Sequence, residues 1–317
     1  MNLLTSMRYL VALHDHRHFD RAAKACHITQ PALSNALRAL ERELGTPIVR
    51  RGRTYSGLTP EGEQVLTSAR RMLHEHEMLQ QALASQHEHP VGRLRLGVVP
   101  SAVPVATRFC AWLQSRHPGI SPVLLSLPSG EIEAGLKALT LDLGLGFLER
   151  VHARGSGFQV LPQYQERLYL VIRAPARARS KTAVPSRIGD PLAWADTAGL
   201  DLCLLTPDMH NRSIVDAALS RAGVSVKPVM ETNSVLALAL AVRTGSLASV
   251  MPGALVSSLR EQAGLVFRPL VKPEVQTPVG FLTRREVAPT RVLEAALALA
   301  RDADWRAELA TASGALH

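Results

Sequence analysis

Between positions 29 and 38 the chain carries the hydrogen-bonding side chains of Thr29, Gln30, Ser34, Asn35 and Arg38, with Gln30, Ser34 and Arg38 four residues apart and Asn35 three before Arg38. Spacing of this kind gathers side chains on one face of a helix. The other face of the run "HITQPALSNALRALERELGTPIV" repeats Leu33, Leu37, Leu40 and Leu44, so the outward face holds no large hydrophobe. Amide side chains suit adenine, arginine suits guanine, and hydroxyls serve base edges or phosphates. The chemistry on offer is recognition of duplex DNA. A solvated surface helix would show the same pattern, so the flanking elements have to decide.

Those elements fit a reading head. Leu3, Met7, Leu10 and Val11 mark a first helix, and a second short one begins near Phe19 in "FDRAAKAC", where Ala22 and Ala23 let another helix approach closely. The turn "HIT" follows, then Pro31 in a first helical turn, and a stop at Gly45 with Pro47 beyond. Two short helices joined by a short turn make a helix-turn-helix, whose second helix enters the major groove. Next, "IVRRGRTYSGLT" at 48–59 reads as a two-stranded wing carrying Arg50, Arg51 and Arg53, placed to meet phosphates or the minor groove. Residues 1–59 hold nine basic side chains against four acidic ones, over half of the chain's net +9.

The sequence from Ala22-Ala23 through "ITQPALSNALRALERELGTPIVRR" to "LTPEGE" resembles the N-terminal signature of the LysR-type transcriptional regulators, and the likeness continues in order over nearly the whole chain. Matched by position, the resemblance implies that Gln30, Pro31 and Ser34 lie at the DNA and that Arg51 and Arg53 are wing contacts. Val49 stands where phenylalanine is usual, and Asn35 where many members carry arginine, which bears on base preference.

Thr59 is a good N-cap, followed by Pro60 and by Glu61 and Glu63 in the first turn, where carboxylates favour the helix dipole. Val65, Ala69, Met72, His76, Leu79 and Leu83 then step by four and three, the seam of a helix that runs along a partner. A single amphipathic helix lying on its own domain is the alternative. The resemblance favours the seam: it implies a homodimer through this linker helix, and homotetramers built from such dimers. "SQHEHPVG" ends the helix at Pro90 and Gly92 and reads as a hinge.

From Arg93 strands and helices alternate, the signature of a parallel sheet with covering helices. The domain plan is therefore a winged helix-turn-helix at 1–59, a linker helix at 60–89, an effector-binding domain at 90–303 and a C-terminal tail at 304–317. The resemblance implies a two-lobed α/β module like the periplasmic binding proteins, with lobe I at about 91–162 and 269–303 and lobe II at about 163–268. Ligands of such sheets bind beyond the carboxyl ends of strands, at helix N-termini. Ser101 follows the first strand and Ser129 the second, and both match the family's effector positions; Thr206, His210 and Asn233 occupy comparable places in the second lobe. Helix capping explains either serine without a ligand. Hydroxyls, backbone N–H groups and a 4% aromatic content favour a small anion over a large aromatic effector. The chain also resembles LysR regulators found with formate dehydrogenase genes, which implies formate.

Other functions fit less well. With 317 residues and 46% hydrophobic content the chain can bury large cores, and its longest apolar runs are far shorter than a bilayer span. The first residues lack a secretory signal, so the expected location is the cytoplasm, which also counts against a periplasmic solute-binding protein. Cys26, Cys110 and Cys203 are far apart and form no C-x-x-C pair. His14, His16, His18, His74, His76, His87 and His89 alternate, a poor arrangement for a metal on a helix, where side chains two apart diverge. No H-E-x-x-H, G-x-S-x-G or P-loop is present. The expectation is a DNA-binding regulator without catalytic residues, cofactor or metal; its partners would be double-stranded promoter DNA, a small effector and RNA polymerase. The alternative is a metal-binding or enzymatic α/β protein with an accessory helix-turn-helix.

Overall fold

The computed structural model describes residues 2–51, 55–84, 90–153, 157–174, 185–285 and 288–314. They form two compact units, Met1–Glu88 with Lys137–Thr140, and His89–Leu136 with Leu141–His317.

The first unit contains α1 (Leu3–His16), α2 (Phe19–Ala25), α3 (Gln30–Leu44), β1 (Val49–Arg51), β2 (Tyr55–Leu58) and α4 (Pro60–Ala84). Met7, Leu10 and Leu13 of α1, Ala22 and Ala23 of α2, and Leu33, Leu37 and Leu40 of α3 close one core, joined by Leu66 and Ala69 of α4. Thr29 caps α3, its Oγ1 accepting from the Ala32 N–H at 3.4 Å, and Gly45 ends the helix in the left-handed region at φ +68°. β1 and β2 pair antiparallel, with Val49 opposite Leu58 and Arg51 opposite Tyr55. α4 leaves this wing at very close range. A Cβ on Gly62 would lie 2.1 Å from the Ile48 carbonyl oxygen, so only glycine fits.

The structure divides the expected α4 seam in two. The start of α4 lies along α1, where Ala69 is fully buried and Arg70 Nη2 meets Asp15 Oδ1 at 2.7 Å. Val65 and Ala69 thus serve the unit's own core. Met72, Leu79 and Leu83, further along, are 41%, 56% and 67% exposed. The apolar stripe open to a partner therefore starts near Met72.

The second unit begins with β3 (Gly92–Val98), α5 (Val103–Arg116), β4 (Ile120–Ser126), α6 (Ser129–Lys137), β5 (Leu143–Phe147) and α7 (Leu148–Ala153). β3 pairs parallel with both β4 and β5, which requires the crossover helices α5 and α6. Gly144 brings α6 down onto the sheet, since a Cβ there would stand 2.7 Å from Ile132. The long strand β6 (Phe158–Arg173) then carries the chain into a second lobe. That lobe holds the short β7 (Arg187–Ile188) and β8 (Leu192–Ala193), β9 (Leu202–Leu205), α8 (His210–Arg221), β10 (Met230–Thr232), α9 (Val235–Thr244), β11 (Ala248–Pro252), α10 (Gly253–Leu259) and β12 (Leu265–Val271). The chain returns along β13 (Gln276–Arg284) and closes with α11 (Arg291–Arg301) and α12 (Ala303–Ala312).

The sheet runs in the order β10-β9-β11-β6-β13-β5-β3-β4, with β12 on β6. β13 pairs with β6 over Phe158 to Arg167, and β11 takes over from Leu168. The lobes therefore change within one unbroken strand, five residues after the 162/163 boundary the sequence suggests. The segment read as a tail from 304 is mostly helix: Trp305 and Leu309 of α12 are buried in the first lobe's core beside Phe109 and Phe281. Burying the Trp305 indole, whose N–H donates to Gln163 Oε1 at 2.9 Å, makes α12 part of the lobe.

Candidate functional site

The first unit turns one face of α3 to solvent. Pro31, Asn35 and Arg38 are exposed and Gln30 and Ser34 are half-buried, all on the side away from Leu33, Leu37 and Leu40. Thr29 is exposed too, with its hydroxyl engaged in the cap. Asn35 and Arg38 also border an open concavity with Arg42, Thr46 and Pro47. Glu41 fixes the wing against this helix, its Oε1 accepting from the N–H groups of Ile48 at 3.0 Å and Val49 at 3.1 Å. In the sequence Glu41 stands out only as one of the four acidic residues of 1–59. Arg51 ends β1, and Arg53 lies outside the described residues.

The second unit holds a different kind of site, a cavity of about 140 Å³ between the lobes. Its walls come from the residues that follow the carboxyl ends of four strands: Ser101 after β3, Ser129 after β4, Arg150 after β5, and His210 with Asn211 after β9. Ser101 and Asn211 are only 3% and 5% exposed. Ser101 Oγ, Ser129 Oγ, His210 Nε2 and Asn211 Nδ2 are all cut off from solvent without a hydrogen-bond partner. A buried polar group left this way costs roughly 1–3 kcal/mol. Several of them around one cavity are hydrogen-bonding groups that a ligand could satisfy.

The scaffold holds these groups firmly. Arg212 pins the first turn of α8, donating through Nη1 to Leu205 O and Glu231 Oε1, both at 2.6 Å, and through Nε to Asp216 Oδ1 at 2.8 Å. His210 packs edge-on against Phe147, with ring centroids 4.9 Å apart. Burial, and then the charge of Arg150, hold the His210 imidazole below its ordinary pKa. Arg150 Nε lies 3.5 Å from Glu133 Oε1.

The structure brings together Ser101, Ser129 and His210 from the expected effector set. Thr206 and Asn233 do not line the cavity. Thr206 follows β9 with a buried, unpartnered Oγ1, whereas Asn233 is exposed beyond the edge strand β10. Arg150 and Asn211 were missed. Both lie within helices, α7 and α8, whose polar residues read as solvated faces in the sequence. Among the described residues no group of three or more His, Cys, Asp or Glu side chains could hold a metal ion, and no helix is long and apolar enough to cross a membrane.

Residues 4–63 match the family model described as bacterial regulatory helix-turn-helix protein, lysR family, and residues 87–305 match the LysR substrate binding domain. The chain is 28% identical over 282 residues to the DNA-binding transcriptional dual regulator OxyR of Escherichia coli (strain K12), covering 89% of each chain. A probable hydrogen peroxide-inducible genes activator from Mycobacterium xenopi is 32% identical over 183 residues, 57% of this chain and 95% of that one. Among solved structures, a full-length OxyR variant from Pseudomonas aeruginosa aligns with TM-score 0.67 at 22% identity, over 93% of this chain and 96% of that one. Full-length CbnR complexed with its target DNA aligns with TM-score 0.64 at 22% identity, over 93% and 97%.

Proposed function

The chain belongs to the LysR family of DNA-binding transcriptional regulators with an effector-binding domain, and from that premise we propose that occupancy of the interlobe cavity by a small anion controls how α3 is presented to a promoter. The observation that carries the effector half is the set of buried, unpartnered polar atoms contributed by both lobes. A ligand bridging Ser101 and Ser129 of one lobe to His210 and Asn211 of the other binds one lobe arrangement better than another. It shifts the equilibrium by that difference in affinity.

On the DNA side, Gln30, Ser34, Asn35 and Arg38 read base edges, while Thr29, Pro31, Arg51 and Arg53 set position on the backbone. The exposed stripe at Met72, Leu79 and Leu83 supports a homodimer through α4, and pairs of dimers would give the tetramer. The protein works in the cytoplasm, where the promoter and RNA polymerase are.

The relatives named as hydrogen peroxide-inducible activators raise a second reading, control by a reactive thiol. The cysteines give it little support. None lines the cavity, and burial pushes Cys110 up to about 11 and raises both Cys203 and Cys26, the opposite of an activated thiolate. None of the named relatives is a formate regulator; formate is a useful first probe because of its size and charge. Binding of the full chain to its own upstream region, followed across a salt series with and without small carboxylates, tests the proposal. The expected result is affinity that falls steeply with salt and a footprint that changes with carboxylate.

A further inference from the structure

Resting on the effector reading above, we propose that Arg150 selects the effector by charge: the ligand is a small monoanionic oxyanion, a carboxylate in the first instance, that competes with Glu133 for the Arg150 guanidinium.

The cavity wall is rich in donors. Arg150 Nε and Asn211 Nδ2 can only donate, both are buried, and neither makes a hydrogen bond. The hydroxyls of Ser101 and Ser129 can donate as well, and the one acceptor-only side chain on the wall, Asp208, is exposed. A ligand that satisfies such a wall is made of acceptors. Two helices, α6 and α8, begin at the cavity with Ser129 and His210, adding their positive dipole ends.

The charge count sets the valence. Arg150 is permanently cationic, whereas burial and Arg150 together favour the neutral form of His210. Glu133 already supplies one negative charge to that cation, so a ligand that takes its place on Arg150 brings one charge and no more. Arg150 meets Glu133 Oε1 at 3.5 Å, close enough for ion pairing, yet its Nε stays without a hydrogen bond. A carboxylate in the cavity can complete that guanidinium in the planar two-oxygen geometry it prefers. Size sets the rest: a cavity of about 140 Å³ holds about five water volumes at roughly 30 Å³ each. Formate and acetate fit with room for water beside them.

Calorimetry on the full chain with acetate and with acetamide, its neutral isostere, separates charge from shape, with formate as the smaller anion. Wild-type protein should bind either anion at least about tenfold more tightly than acetamide. Arg150→Gln should lose about tenfold or more in acetate affinity and leave acetamide unchanged. Arg150→Lys should fall between, keeping the charge without the planar fork, and Glu133→Gln should tighten acetate. If Arg150→Gln fails to fold, the lysine and Glu133 variants carry the same test. Equal binding of acetate and acetamide, an Arg150→Gln protein that binds acetate like wild type, or no wild-type response to either anion would overturn the inference. If acetamide binds as well as acetate while Ser129→Ala weakens both, the cavity remains the effector site and only charge selection falls. If Ser101→Ala and Ser129→Ala leave every probe unaffected, the effector reading itself fails.

Discussion

The outer face of α3 and the interlobe cavity are both polar, and they differ in how their polar groups meet water. Asn35 and Arg38 stand in solvent, fully hydrated before any partner arrives, so holding them there costs nothing. Ser101, Ser129, His210 and Asn211 have buried polar atoms without partners, each at a cost of roughly 1–3 kcal/mol in the empty state. The first region gains its function from spacing and charge, and disruption of geometry should damage it most. The second gains its function from completion of hydrogen bonds, and single-atom changes should be felt there.

The largest effect should come from spacing. Leu79→Asp places a charge in the exposed stripe of α4, so sedimentation should show monomers. Operator affinity should then fall on the order of a hundredfold as the linkage of two heads is lost. An intact dimer would remove the linker-helix account. Next comes base reading, where Arg38→Ala should cost roughly 1–3 kcal/mol at the cognate site and relax preference there. Arg51→Ala and Arg53→Ala should instead weaken all sequences alike and lower the salt slope by about one each. Gel shifts in which all three variants match wild type would break the proposed DNA face.

A smaller effect, confined to the second unit, concerns Glu166 on β6. Its Oε1 accepts from the Ala254 N–H at 3.2 Å and its Oε2 from the Tyr164 hydroxyl at 3.3 Å, and burial pushes the carboxyl from 4.5 up to about 8. The folded state therefore holds a proton that the unfolded state has released. Its contribution is fully present below about pH 4.5 and is lost as the pH rises to about 8. Glu166→Gln should flatten the pH dependence of the melting temperature across that window. An unchanged slope would show that Glu166 is ionised in the fold.

The two regions were not equally legible. α3 could be read because Leu33, Leu37 and Leu40 repeat at helical period and Thr29 and Gly45 supply start and stop. The sheet was legible as alternating elements, but its lobe boundary was not: β6 continues for 16 residues, and its one turn-type residue, Pro162, lies inside the pairing with β13 and not at the passage between lobes. α12 read as tail because one tryptophan among alanines gives almost no periodicity, and its burial is decided by the tertiary cavity it fills. Ser101 and Ser129 were found by their place after strands, whereas Arg150, in a polar run, reads as a solvated helix face. Only the fold brings it to the cavity wall beside His210.

The most direct test of effector control over DNA reading is a footprinting titration of the promoter with acetate or formate, comparing wild type with Ser101→Ala/Ser129→Ala. The account predicts that the double variant occupies the operator as wild type does without ligand, and that its footprint no longer changes with the carboxylate except at concentrations at least about tenfold higher. A footprint that still changes at the wild-type concentration would contradict it, because the two serines would then only cap helices.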